Sequence, residues 1–318
     1  EYLLNSFKYT LDYKYYSEDD LLLCIKNFSG HQWKNTGDYN VAVRINKYGF
    51  RDKKDLLFST PDDIFVLGDS FGLGWGVEEG KRYSDLLEPI LGIPVYNISV
   101  PGGDIDIYQR LLNYVQKKGV KIKNLIVSVC MENDLMNYEL PAQSQYRLNR
   151  NFKGKKKYRP SHIFYNTFAM AKTWLTKNSA AYHAFASIMH QNYTLNRMAI
   201  KLGLIIDNYA GMHKNIYSDK ILVSTSRKLL ELSKPFDATV VIIPSRALWV
   251  GQNQKIELEV HNRLVSLLKG LKINTVDLRP YFEEEGNPLQ YHFKNDGHWN
   301  EKGHLKAAQI IAKLLSKK

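Results

Sequence analysis

The chain has 318 residues, 44% of them hydrophobic and 24% charged, which is enough apolar material for a full core and describes a folded globular protein, neither disordered nor fibrous. Lys and Arg outnumber Asp and Glu by 44 to 32, and the resulting formal charge of +12 points to an anionic partner or surface. No run of about eighteen apolar residues exists to span a membrane, and two cysteines are too few for a disulfide framework.

Residues 1–60 read as a tyrosine- and lysine-rich N-terminal extension, with too few clustered apolar residues for a core of its own. We expect it to pack on the main domain, residues 61–318. Within it, Val41-Ala42-Val43-Arg44-Ile45-Asn46 alternates like an exposed strand, and Lys47-Tyr48-Gly49-Phe50-Arg51-Asp52 reads as a turn centred on Gly49. The chain opens on Glu1-Tyr2-Leu3-Leu4, with neither an initiator methionine nor a signal-peptide pattern, as a trimmed chain would.

Ile64-Phe65-Val66-Leu67 has the pattern of a strand buried on both faces, and it breaks into Gly68-Asp69-Ser70-Phe71-Gly72-Leu73-Gly74. A serine just past the end of a buried strand stands where open α/β sheets place their chemistry. Tyr83, Leu86, Leu87, Ile90 and Leu91 recur at helical spacing, followed by a short strand over Pro94 to Ser99. The turn Val100-Pro101-Gly102-Gly103-Asp104 then offers Asp104 as cap for a helix carrying Ile105, Tyr108, Leu111, Leu112 and Val115. A strand from Leu125 to Cys130 runs into Met131-Glu132-Asn133-Asp134, and Cys130 reads as a small core residue; nothing supports a bridge from it to Cys24. Strand and helix alternate at the spacing of right-handed crossovers, so the expected fold class is α/β, a parallel sheet covered on both faces.

The rhythm stops over residues 141–235, a stretch too long for a structureless loop and therefore read as a helical insertion. It leaves the sheet at the same strand ends as Ser70, where it forms either one wall of a substrate cleft or a packing surface or dimer contact. Its first part holds Arg147, Arg150, Lys153, Lys155, Lys156, Lys157 and Arg159 with no acid among them. That run suits a solvated loop or a contact with an anionic glycan or membrane surface, and no nucleic-acid-binding motif accompanies it. His183 and His190 lie seven apart on one helical face without a carboxylate in register, a structural spacing.

The sheet resumes with Thr239-Val240-Val241-Ile242-Ile243 and the turn Pro244-Ser245-Arg246. A helix from about Ile256 to Leu271, a fifth strand over Ile273 to Leu278 and a last helix from Leu305 to Leu315 complete the chain. Between the last two lies Asp296-Gly297-His298-Trp299. Ser70 could attack a carbonyl if His298 took its proton while Asp296 held the imidazole in the needed tautomer. Gly102 and Asn133, at the ends of the next two strands, offer a backbone N–H and a side-chain amide that with the Ser70 N–H could surround an oxyanion. The histidines and cysteines show neither HExxH nor CxxC spacing, so no metal and no cofactor is expected.

These residues resemble the blocks of the SGNH hydrolases, also called the GDSL esterase and lipase family. Gly68-Asp69-Ser70-Phe71 resembles the first block, Asn97-Ile98-Ser99-Val100-Pro101-Gly102-Gly103 the second, Glu132-Asn133-Asp134 the third and Asp296-Gly297-His298 the fifth. The likeness covers about residues 40 to 138 and 236 to 318. It implies an SGNH-like, flavodoxin-like α/β/α sandwich on a five-stranded parallel sheet, with Ser70, His298 and Asp296 as catalytic triad and Ser70, Gly102 and Asn133 as oxyanion hole. Two departures stand out. Met131 replaces the glycine that usually opens the third block, which would narrow the pocket or shift the backbone near Asn133, and one residue instead of two separates Asp296 from His298.

The one-residue separation also occurs in SGNH-like proteins that act on bacterial polysaccharides, the alginate O-acetyltransferase relatives among them. Asn46-Lys47-Tyr48-Gly49-Phe50-Arg51 likewise resembles the element before the nucleophile block in bacterial cell-envelope members. The resemblance thus implies a serine esterase or O-acyltransferase acting on an O-acylated carbohydrate or other small ester, and the charge of +12 adds an anionic polysaccharide as a candidate partner. It implies the periplasm or extracytoplasmic envelope if a leader or anchor was trimmed, and the cytoplasm otherwise. A general carboxylesterase or lipase, and a polysaccharide-binding or assembly protein without turnover, are the competing readings. Trp75, Trp249 and Trp299 are candidate sugar platforms, Trp299 the best placed because it adjoins His298, while Trp75 and Trp249 suit the core equally well. His304 reads as a helix-start residue, and His292 and Asp277 as alternatives should the last loop fold differently.

Overall fold

The computed structural model describes residues 13–16, 21–34, 37–140, 174–175, 179–192, 194–195, 198, 201, 218–250 and 253–316. Two antiparallel pairs come first: β1 (Tyr13–Tyr16) with β2 (Leu21–Cys24), and β3 (Ser29–Trp33) with β4 (Asn40–Arg44). Only β4 was visible as alternation, with Val41 and Val43 turned inward between exposed neighbours. The turn after it depends on Gly49, whose φ of +88° puts it in the left-handed region and whose missing Cβ would meet the Cys24 carbonyl at 3.1 Å.

Five strands then form one parallel sheet: β5 (Ile64–Leu67), β6 (Val95–Asn97), β7 (Asn124–Cys130), β8 (Asp237–Ile243) and β9 (Thr275–Asp277), in the spatial order β6-β5-β7-β8-β9. Residues of β5 alternate between two cores, Phe65 and Leu67 facing one and Ile64 and Val66 the other. The short α1 (Ser70–Leu73) follows β5, and α2 (Tyr83–Leu91) packs on the second core through Tyr83 and Leu87. On the first core lies α3 (Ile105–Lys117), whose start is fixed by the Asp104 carboxylate accepting from the Ile107 N–H.

In the insertion, α4 (Ala180–Gln191) and α5 (Asp219–Ser233) are the long described helices. Leu222, Leu229 and Leu232 of α5 enter the first core, and the Thr225 hydroxyl donates to the Met136 carbonyl at 3.0 Å, which ties the insertion to the segment after β7. The basic run 147–159 and Phe164, Phe168 and Met170 lie outside the described residues. From there α6 (Gln254–Gly270) covers the first core, while α7 (Arg279–Glu283) and α8 (Glu301–Leu315) cover the second. The result is an α/β/α sandwich. Helix α8 starts four residues before the expected Leu305, because Asn300 caps it through the Gly303 N–H.

The N-terminal residues reach the sandwich in two places. Leu21, Leu23, Tyr48, Phe50 and Leu56 join the first core beside α3, and Tyr39, Val41, Val43 and Ile45 cluster with Leu73 of α1. Arg51, 1% exposed, donates to the carbonyls of Gly74, Val77 and Ala42 and so holds the turn that follows α1. Cys24 and Cys130 are both buried free thiols, in separate clusters. No described helix is long and apolar enough to cross a membrane.

Candidate active site

The order of the sheet reverses direction between β5 and β7, which opens a crevice at their carboxyl ends. Ser70 stands beyond β5 and Asn133 beyond β7, on either side of it. The turn at Ser70 is tight because two glycines permit it: a Cβ at Gly68 would stand 2.9 Å from the Ser128 Cβ, and one at Gly72 2.4 Å from the Ser99 Oγ. Asp69, fully buried, caps α1 by accepting from the Phe71 N–H at 2.9 Å, so its carboxylate is spent on the turn.

Opposite Ser70 comes the loop between β9 and α8. The His298 Nε2 lies 2.8 Å from the Ser70 Oγ, and the Nδ1 lies 2.5 Å from the Asp296 Oδ1. An ionised carboxylate can only accept, so the Nδ1 carries the proton and the Nε2 turns its lone pair to the serine hydroxyl. The His298 backbone N–H also donates to the Asp296 Oδ1, at 3.0 Å, which is possible because a single residue separates the two. Burial by itself would raise the Asp296 pKa; the hydrogen bond and charge of His298, followed by Lys34, overcome it and hold the carboxyl far below the usual range.

Asn133 donates from its side-chain nitrogen to the Asp69 Oδ2 at 2.8 Å, which fixes the amide and leaves its second N–H to the exposed side. Gly102, at φ +71°, forms an exposed turn after β6. Met131 does not narrow the pocket as expected: it is 1% exposed and its side chain belongs to the first core. The structure therefore brings Ser70, His298 and Asp296 into contact in one relay and ties Asn133 to the turn that carries Ser70.

Of the tryptophans, Trp75 stacks on the His298 ring, with centroids 5.4 Å apart and planes 26° apart, and its indole N–H donates to the Tyr39 hydroxyl at 2.7 Å. Trp299 corrects the expectation of a sugar platform. It is 1% exposed and packed among Phe71, Tyr83, Phe282 and His304, because the extended loop that aims His298 at Ser70 sends the next side chain the other way. His304 is buried, accepts from the Tyr83 N–H, and burial pushes its pKa down to about 3. His292 is likewise driven by burial to about 3, and Asp277 pairs with His261, so neither alternative enters the relay.

Several residues of the site were not identified from sequence. Lys34 and Tyr39, on the connection from β3 to β4, both donate to the Asp296 Oδ2, at 2.5 and 3.2 Å. Arg246 holds Glu132 through its Nε at 3.1 Å and a terminal nitrogen at 2.9 Å and presses against Gly297. The available signal was the Pro244-Ser245-Arg246 turn at the carboxyl end of β8, where chemistry collects in such sheets. A cavity of about 380 Å³ opens beside Asp296, lined in part by Arg246, Gln290, His292 and Lys294, and one of about 460 Å³ lies on the Tyr39 side of the same loop. Among the described residues no group of three or more His, Cys, Asp or Glu could hold a metal ion.

The last quarter of the chain is SGNH hydrolase-like: residues 238–318, which take in Asp296 and His298, match the family described as "SGNH hydrolase-like domain, acetyltransferase AlgX". Similar solved structures include a G-D-S-L-family lipolytic protein from Veillonella parvula, at 11% identity and a TM-score of 0.42 over 80% of this chain and 99% of that one. A lipase/acylhydrolase from Enterococcus faecalis aligns at 9% identity and a TM-score of 0.45, over 80% and 96%. A catalytic mutant of an acetylxylan esterase from Geobacillus stearothermophilus aligns at 10% identity and a TM-score of 0.42, over 81% and 95%. The α/β/α fold and the buried Ser70–His298 contact are consistent with serine-hydrolase chemistry.

Proposed function

We propose that this chain is a serine-dependent acyl-ester hydrolase or O-acyltransferase that works through a covalent acyl group on Ser70, with acetyl on a carbohydrate as the favoured substrate. The observation that carries the reading is the unbroken line from the Ser70 Oγ through His298 to Asp296, with contacts of 2.8 and 2.5 Å. In it His298 accepts the hydroxyl proton as the Ser70 oxygen bonds to the ester carbon, and Asp296 stabilises the imidazolium that forms. The Ser70 and Gly102 N–H groups and the Asn133 amide face the developing oxyanion. The tetrahedral species collapses as His298 returns the proton to the departing sugar oxygen, leaving an ester on Ser70. Water, or a hydroxyl of an acceptor sugar, then enters by the same steps in reverse.

The acetyl preference draws on the matched family's description as an acetyltransferase, over a stretch that holds Asp296 and His298. The anionic character of the acceptor draws on the charge of +12. A protein that only binds polysaccharide would have no use for a serine in contact with the histidine of an acid–base pair. A fluorophosphonate probe tests the reading: it labels the wild type and not Ser70→Ala, and absence of label from both at neutral pH overturns it. An acetylated donor incubated with a glycan acceptor then separates the two enzymes by mass spectrometry. Acylated glycan identifies the transferase, free acetate alone the hydrolase.

A further inference from the structure

Both oxygens of the Asp296 carboxylate are fully engaged, and by different parts of the chain. The Oδ1 accepts from the His298 backbone N–H and from its Nδ1, both within the loop. The Oδ2 accepts from the Lys34 ammonium and the Tyr39 hydroxyl, both from the N-terminal hairpin more than 250 residues away, at separations of 262 and 257. A carboxylate offers about four acceptor positions, so the hairpin supplies half of what holds this one.

Lys34 and residues 37–39 are themselves placed to do this. The Lys34 N–H donates to the Tyr39 carbonyl at 3.1 Å and the Gly37 N–H to the Lys34 carbonyl at 2.9 Å, which closes the turn and brings both side chains to one side. Asp38 accepts from the Asn295 N–H at 3.0 Å, and the Tyr39 ring packs on Phe293 at 5.0 Å, so the hairpin grips the loop on either side of Asp296. The Tyr39 hydroxyl also accepts from Trp75, whose ring covers His298. Lys34 and Asp296 are 14% and 7% exposed, a setting in which water screens their attraction little.

We propose that Lys34 and Tyr39 are positioning residues of the triad: they hold and neutralise the far side of Asp296, so that the hairpin helps to set the pH dependence of turnover. The proposal rests on the assignment of Ser70, His298 and Asp296 as the working groups. An imidazolium is stabilised by the carboxylate beside it, and an ammonium on the opposite oxygen cancels part of that pull. The hairpin's charge thus tunes how readily the proton passes from Ser70 to His298 and on to the leaving oxygen. Around the His298–Asp296 pair stand Asp69 at the end of β5, Arg246 with its Glu132 beyond β7 and β8, and His292 and His304, which burial holds uncharged near neutral pH. None of them is substituted in a Lys34 variant, so the change isolates the hairpin's charge.

The test uses the full chain with Lys34→Met, Lys34→Arg and Tyr39→Phe. For p-nitrophenyl acetate, Lys34→Met moves the acid limb of the kcat/KM profile upward by about one pH unit, the size expected for a screened charge one carboxylate away. Lys34→Arg restores the wild-type limb, and Tyr39→Phe moves it by less. A hairpin that is only scaffold lowers kcat/KM by the same factor at every pH, and that result overturns the proposal. NMR titration of the His298 ring, assigned with His298→Gln, reads the same shift without turnover, so the proposal fails on its own if wild type and Lys34→Met titrate alike. Should Lys34→Met not fold, Lys34→Gln and Tyr39→Phe carry the same comparison. A wild type that takes no fluorophosphonate sinks the esterase reading instead, and leaves the NMR result standing.

Discussion

Arg246 and Gly297 touch so closely that a Cβ on residue 297 would stand 2.0 Å from the Arg246 Cζ. Gly297 is the single residue between Asp296 and His298, and Arg246 is held in place from behind by Glu132. Gly297→Ala must therefore move either the guanidinium or the backbone that aims His298 at Ser70. Displacements of this kind cost on the order of 100-fold in rate, and we expect that loss in kcat/KM for a small ester. In an Arg246→Ala background the same change should cost less than about threefold, because the clash is gone and the two effects are coupled. Equal losses in both backgrounds would show that the contact does not set the loop.

Trp299 separates the burial seen in the structure from the surface role expected of it. Its ring fills the second core between Phe71, Phe282 and Tyr83. Trp299→Ala should destabilise the protein by about 3–5 kcal/mol, the range for removing a large buried aromatic, and Trp299→Phe by much less. In Trp299→Phe the KM for an acylated glycan should match that of a small ester relative to wild type. A selective rise in KM for the glycan would restore the platform reading.

What was legible depended on how locally each residue's role is written. Ser70, Gly102 and Asn133 each follow a predicted strand, so a correct count of strands placed them at one edge of the sheet before any distance was known. Lys34 and Tyr39 could not be found this way, since their partner Asp296 lies at sequence separations of 262 and 257 and the β3 arm of their hairpin is too short and polar to show a period. Strands β1 and β2, four residues each, are too short to show one, although β2 is wholly apolar. Trp299 was misjudged because adjacency in sequence was read as adjacency in space. The bridge pairing His292 with Trp299 marks this stretch as extended, where neighbours face opposite ways.

Glu257 gives the fold a pH dependence of one sign. It is 6% exposed on the first turn of α6, and burial, with the charge of Glu132 adding to it, raises its pKa from 4.5 to about 7. A carboxyl raised in the folded state binds a proton there that the unfolded chain has already released, so stability declines as pH climbs from about 4.5 to about 7 and is level above. Glu257→Gln removes that decline. Its melting temperature relative to wild type should be higher at pH 8 than at pH 5, measured by scanning calorimetry at both, and a constant difference would exclude the buried carboxyl as the cause.

Asp296 gives the opposite sign. Its folded pKa is held well below the ordinary 3.8: burial works against this, and the His298 hydrogen bond and charge together with Lys34 prevail. A depressed carboxyl contributes stability that is complete above its unfolded value, near pH 4, and is lost as pH falls toward the folded value. The urea midpoint of the wild type should therefore drop between pH 5 and pH 2.5 by more than that of Asp296→Asn, whose amide does not titrate. At pH 7 the same variant leaves Lys34 facing a neutral group and turns an N–H toward groups that had only donated, so it starts from the lower midpoint. Its amide also no longer imposes the Nδ1–H tautomer on His298, and kcat/KM should fall by about 10⁴-fold with Ser70 and His298 intact. Urea curves that run parallel for the two proteins across this range would mean that the Lys34–Asp296–His298 contacts are not held in solution.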